Sequence, residues 1–454
     1  MFLVANFFKK LFGKANKKID PKIISPDVHK IRNSFIDFNA LKIINRLKRF
    51  GFDAYIVGGA IRDCLLGKKP KDFDVATNAT PKEIKKIFTN GRIIGRRFKL
   101  VHIIFGDSYI EVATFRTAAA FKNKESKKEN KDPFAKENNF GTIEEDVLRR
   151  DFSVNALYYN PEDQTIIDYV GGFEDINSRI IRPLNPPEVS FLEDPVRMLR
   201  AVKYMAALDC VIPENVLKKI RKFSKELKQA SLARLYEEIN KIIKTGKSAK
   251  ILQSLFDTEL LKYLIPFMSE DLLESENWGV ISSLKKLDDF IENKKIENYD
   301  IFWGITLYKR LIKENFDIRD FNYIQKVNEF FMNHLFPLKV PNKTSDFLSK
   351  TFFLFNKLQD PTSKNYARKY LNHRYFTDAL IFLKILTDDV ENIKFWESNK
   401  NKIKVYKKNR PKNAQKNNSS NGFKKVLTTK NYVSKDSASD AKPENQVVED
   451  ANKV

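Results

Sequence analysis

At 454 residues, with 42% hydrophobic and 12% aromatic side chains, the chain has room for about three domains with substantial cores, which excludes a natively disordered protein. Eighty-two lysines and arginines against 58 aspartates and glutamates leave a formal charge of +24, which points to a polyanionic partner, nucleic acid first. The two cysteines, Cys64 and Cys210, fall far apart in helical patterns, so neither a disulfide framework nor a zinc site is expected and a reducing cytoplasm is the default.

In chain order, the opening MFLVANFFKKLFGK sets Phe2, Leu3, Phe7, Phe8, Leu11 and Phe12 among lysines at 9, 10 and 14. This amphipathic pattern either lies on a membrane surface as a peripheral contact, or docks on the protein itself or stays mobile, and it lacks the order and cleavage site of a signal peptide. No apolar run reaches bilayer length. Residues 1–35 therefore read as a basic entry segment. Leu41, Ile44 and Leu47 mark a helix ending near Gly51. AYIVGG then reads as a buried strand, AIRDCLLG as a short helix closed at Gly67, DFDVAT as a strand, and PKEIKKIF as a helix opened by Thr80 and Pro81. RIIGRRFKLVHIIFG and YIEVATFR supply further strands, with a hairpin around Gly106 and Asp107. Residues 117–140, rich in lysine, glutamate and asparagine, read as a mobile loop. From about 190 to 400 the spacing is helical throughout, and beyond Arg410 the sequence turns to Lys, Asn and Ser. The fold class is α+β: a mixed head over 36–180, a helical neck over 181–250, a helical body over 251–410 and a disordered basic tail over 411–454. No solenoid repeat is present.

Chemistry concentrates in the head. Alternation along DFDVAT sends Asp72 and Asp74 to one face and Phe73 and Val75 into a core. Two carboxylates aimed together are either hydrated on an edge strand or hold a divalent metal. Upstream, VGGAIRD puts Gly58 and Gly59 at a strand-to-helix turn, where backbone N–H groups can approach a phosphate, with Arg62 one turn into the helix. A phosphate cradle beside paired acids is the layout that metal-dependent phosphoryl or nucleotidyl transfer needs.

GGxxRD followed by DxD, then RRDFSVNAL and EDPVRMLRA, in order over residues 50–210, resembles the class II nucleotidyltransferase superfamily, which has a polymerase-β-like head and includes bacterial poly(A) polymerases and CCA-adding enzymes. GRRFKLVHI and YVGGFEDINSRIIRPL are most similar to the bacterial poly(A) polymerases. The resemblance implies that Asp72 and Asp74 bind metal, that Asp151 fills the third acidic position or grips the ribose, with Glu111 as its rival, and that Gly58, Gly59, Arg62, Arg150 and Asn155 bind nucleotide. It assigns base selection to Asp194 and Arg197. Three residues apart on one helix face, these can together read an amine beside a ring-nitrogen acceptor, a pattern shared by adenine and cytosine; the bland alternative is that Asp194 caps a helix opened by Pro195. Hard oxygen ligands, with no Cys or His cluster, favour Mg2+ in a two-metal mechanism, and His102 reads as a packed sheet residue rather than a base.

The activity implied is transfer of AMP from ATP to RNA 3′ ends with release of pyrophosphate, in RNA turnover. The RNA 3′-hydroxyl attacks the α-phosphorus with one ion on the hydroxyl and the other on the triphosphate. RNA is expected to lie on the helical body and tail, held mainly through its phosphates. A cytoplasmic monomer attended by RNA-degradation proteins completes the expectation. The alternatives are a CCA-adding tRNA nucleotidyltransferase and an inactive RNA-binding protein on the same fold.

Overall fold

The computed structural model describes residues 20–95, 99–117, 140–274 and 279–408, with side chains to residue 400. The amphipathic segment 1–14, the loop read over 117–140 (all but its two end residues), the arginines of GRRF and the basic tail lie outside the described residues.

The head is one eight-stranded mixed sheet, ordered β1-β8-β7-β2-β3-β6-β5-β4. Its strands are β1 (Lys22–Ile24), β2 (Ala54–Val57), β3 (Asp74–Thr77), β4 (Gly91–Ile94), β5 (Leu100–Phe105), β6 (Ser108–Thr114), β7 (Leu157–Asn160) and β8 (Thr165–Asp168). Only β3 and β6 run parallel; the other ladders are antiparallel. Helix α1 (Phe38–Arg49) starts where the Asp37 carboxylate accepts from the Asn39 and Ala40 amides, and it buries Ala40, Ile43, Ile44 and Leu47. Helix α2 (Gly59–Leu65) follows β2 directly, and α3 (Pro81–Ile87) opens on a capping box in which Thr80 and Glu83 satisfy each other's amides.

Three features depart from the sequence reading. Residues 22–24 form a strand within the segment read as a basic entry. β7 and β8 also went unforeseen; in β7 both Tyr158 and Tyr159 are fully buried, and a strand covered on both faces shows no alternation. Asp72 precedes β3 rather than sharing it, so strand alternation alone does not bring it alongside Asp74.

Beyond the head the chain is helical: α4 (Pro187–Glu193), α5 (Val196–Leu208), α6 (Glu214–Phe223), α7 (Leu232–Ile243) and α8 (Ser248–Asp257), then long helices including Ile301–Lys313, Asn342–Gln359 and Phe376–Leu386. The last three meet at Gly304, where a methyl group would stand 2.4 Å from Phe382 and 2.9 Å from Phe352, so only glycine permits this approach. One cluster of buried apolar side chains runs from Ile24 to Trp396. The described residues up to Glu397 belong to one compact unit, and Ser398 begins a second. Among the described residues no helix is long and apolar enough to cross a membrane.

Candidate active site

The turn between β2 and α2 is set by Gly58, whose φ of 74° and ψ of −136° lie where a side chain is strained. Arg150 lies over this turn: a methyl group on Gly58 would stand 3.7 Å from its Nη1. Arg62 points back beneath Gly59 and is buried. Its Nε and Nη2 donate to Asp63 at 2.9 and 2.7 Å, its Nη1 donates to the Asn155 side chain at 2.7 Å, and its guanidinium lies 4.7 Å from the Tyr204 ring centroid.

On the neighbouring strand Asp74 is solvent-accessible, yet ringed closely by protein, as at the floor of a concavity. Desolvation, then Glu111, then Asp72 push its carboxyl up to about 6, against the pull of Arg150 and Lys241. Glu111 is its register partner across the parallel β3–β6 pair, and His102 is the partner of Glu111 across β5–β6. In-register residues share a face. Asp74, Glu111 and His102 therefore form one row on the sheet. The rival third acid thus stands next to Asp74.

Asp151 is engaged differently. It is buried, its Oδ1 accepts from its neighbour's amide at 2.9 Å and from Asn155 Nδ2 at 3.1 Å, and its Oδ2 lies 2.8 Å from Arg200 Nη2. Asn155 thereby bridges Arg62 to Asp151, and Asp151 ties this chain to Arg200 on α5. Asn155 and Asp151 are interior groups and not part of an amphipathic helix surface, since only residues 153–155 are helical, as one 3-10 turn. Arg150 donates to Asp146 at 2.9 Å and to the Tyr158 hydroxyl at 2.9 Å. Burial drives Asp146 upward, but Arg150, the Tyr158 hydroxyl and Arg149 outweigh it and hold the carboxyl below its ordinary value.

The base-reading pair is not assembled as the spacing predicts. Asp194 is extended (φ −145°, ψ 95°) between α4 and α5, so it shares no helix with Arg197. Its Oδ1 accepts from the Val196 amide at 3.2 Å, which agrees with the capping alternative, and its Oδ2 accepts from Arg234 on α7 at 2.8 Å. Arg197 folds back onto α4 and pairs with Glu193 at 2.7 Å.

Sequence reasoning missed Asp146, Arg200, Tyr204 and Arg234, each of which pairs with a site residue from a different element. It also missed the contact of His102 with Glu111, 3.3 Å from Nε2 to Oε1.

Among the described residues no three His, Cys, Asp or Glu side chains close around a point as a metal cage. The donors nevertheless fit a hard cation. Asp74 has two other acids, Glu111 and Asp72, near enough to raise its proton affinity, and Mg2+ is commonly held by one or two carboxylates with water and substrate phosphate completing its shell.

Residues 54–182 match the family described as the poly A polymerase head domain, and residues 211–272 the probable RNA and SrmB-binding site of polymerase A. The poly(A) polymerase I of Salmonella typhi is 39% identical over 324 residues, 68% of this chain and 70% of that protein. The chain belongs to the poly(A) polymerase family. A second family member, the poly(A) polymerase I of Haemophilus influenzae, is 41% identical over 62% of this chain and 64% of its own length. A CCA-adding enzyme of Ligilactobacillus salivarius is 33% identical over 60% and 63%. The crystal structure of the Bacillus stearothermophilus CCA-adding enzyme in complex with CTP superposes with a TM-score of 0.59 over 81% of this chain and 82% of that one, at 24% identity, which shows a common fold. In this poly(A) polymerase-family chain the head match covers the glycine turn, Asp74, Glu111 and Asp151.

Proposed function

We propose that the protein is a polynucleotide adenylyltransferase that transfers AMP from ATP to RNA 3′ ends. The observation that carries this reading is the acid row on β3 and β6 beside the Gly58 turn, in a chain 39% identical to a poly(A) polymerase I over most of that protein.

Gly58 opens the backbone toward the triphosphate, and the Arg150 guanidinium above it neutralises phosphate charge. Asp72, Asp74 and Glu111 are the residues that would hold divalent cations, with Mg2+ the ion of choice. When bound, these ions would neutralise the triphosphate and lower the proton affinity of the attacking hydroxyl. Asp151, fixed by Arg200 and Asn155, positions the ribose edge of the site, and the third acid is assigned to Glu111. The RNA 3′-oxygen bonds to the α-phosphorus, the bond from that phosphorus to the bridging oxygen breaks, pyrophosphate departs, and the hydroxyl proton passes to solvent. Asp194 and Arg197 select the base once each leaves its present partner, Arg234 and Glu193. RNA phosphates rest on the helical neck and body, whose residues 211–272 match an RNA-binding family.

A second reading, CCA addition to tRNA, is favoured by the related CCA-adding sequences and by base readers that suit both A and C. Incubation of the purified protein with labelled RNA and each nucleotide in turn separates the two. Long A runs on an unstructured RNA support adenylation, and rejection of that RNA with ordered C, C, A addition to tRNA supports the alternative.

A further inference from the structure

We propose that His102 is a positioning residue for the acid row, holding Glu111 in the orientation in which it and Asp74 share a divalent cation. This rests on the reading of Asp74 and Glu111 as metal ligands.

The row fixes the geometry. Asp74, Glu111 and His102 are successive register partners on β3, β6 and β5. With strands about 4.8 Å apart, Glu111 has Asp74 on one side and the imidazole on the other. Nε2 of His102 stands 3.3 Å from Oε1 of Glu111, in ion-pair range. The ring is held in turn. It stacks on Tyr109 with centroids 4.1 Å apart and planes 12° from parallel. Tyr109 is 54% exposed, so its ring contributes little to the core, and its stacking chiefly limits how the imidazole can turn.

Two carboxylates in register on neighbouring strands repel, so Glu111 tends to rotate away from Asp74. The imidazole beside Oε1 of Glu111, on the strand opposite to that of Asp74, gives this carboxylate an attractive partner and opposes that rotation. Groups that orient metal-binding carboxylates in this way are worth about 10–100-fold in metal affinity. A histidine that merely packed the sheet would be worth nothing to the metal.

The test is Mn2+ affinity of the full chain without nucleotide, read from the paramagnetic signal of free Mn2+, with thermal melting in parallel. His102→Ala is expected to weaken Mn2+ about 10–100-fold. His102→Gln, whose amide N–H can reach the position of Nε2, is expected to restore binding to within a few-fold, and Tyr109→Leu to fall between. Tyr109→Leu and His102→Gln keep the proposal testable if His102→Ala melts early. Asp74→Asn is the control for the underlying reading, because Mn2+ binding at the parental level in that variant would remove the metal site itself. If Asp74→Asn loses Mn2+ while His102→Ala binds as the parent does, or if His102→Gln is as weak as His102→Ala, the positioning role is wrong and the metal site stands.

Discussion

Asp74 and Glu111 face each other in register across the one parallel strand pair of the sheet. This pairing divides the roles of the candidate acids. Glu111→Gln is expected to reduce nucleotide addition by at least a hundredfold while leaving the melting temperature near that of the parent. Asp151→Asn should behave in the opposite sense. It leaves Arg200 without its carboxylate in a mostly buried setting and should cost about 1–3 kcal/mol of stability. Equal melting of both variants, with activity lost only in Asp151→Asn, would return the third acid to Asp151.

The raised proton affinity of Asp74 gives a pH dependence of defined sign. Its carboxyl titrates at about 6 in the folded chain against an ordinary 3.8, so the folded state holds the proton more tightly than the unfolded state. Without metal, stability attributable to this group is fullest below about pH 3.8 and is lost as pH rises toward 6. Asp74→Asn should therefore melt above the parent at pH 7.5, and the gap should close near pH 4. Calorimetry across that range, with chelator present, reads it; a gap that does not change with pH would contradict the assignment.

Lys203 on α5 and Glu238 on α7 form a buried pair at 2.7 Å, with side chains only 8% and 7% exposed. Burial raises the Glu238 carboxyl, but Lys203 beside it, with Lys241 and Arg200, outweighs burial and keeps it below its ordinary value. Glu238→Ala strands a buried ammonium and should cost about 3–5 kcal/mol, whereas the apolar pair Lys203→Met with Glu238→Leu should recover most of that. Denaturant unfolding of the three proteins checks the order.

On the proposed reading of Arg197 as a base-selecting residue, it must first leave Glu193. Glu193→Gln weakens the present partner and should lower the KM for ATP. Arg197→Ala should reduce the preference for ATP over GTP by about tenfold to hundredfold, the effect of one lost hydrogen bond in a closed pocket. Steady-state kinetics with both nucleotides measures each change, and an unaltered preference in Arg197→Ala would remove it from the reading of the base.

What was legible in the sequence was local. The Gly58–Gly59 turn, the Thr80 cap and the hairpin at Gly106 each follow from a few adjacent residues whose backbone demands are strong. What was not legible depends on pairing across the chain. Glu111 alternates with the buried Ile110 and Val112, so its exposure to the opposite face could be read, but its position beside Asp74 required the parallel β3–β6 register. The burial of Asp151 was hidden for the same reason, since its partner Arg200 lies on a helix of the neck. The three-residue spacing of Asp194 and Arg197 fits one helix face, but the chain is extended at Asp194 and α5 starts only at Val196, so the break falls between them.

The most direct measurement of the central claim is addition to an unstructured RNA of arbitrary 3′ end, in Mg2+, with ATP and CTP supplied separately and the products resolved by length. Long homopolymeric A tails from ATP and poor use of CTP are expected, with loss of both in Asp74→Ala protein that melts like the parent or slightly above it. A protein that ignores this RNA, accepts only tRNA lacking its end, and stops after adding C, C and A in order would contradict the claim.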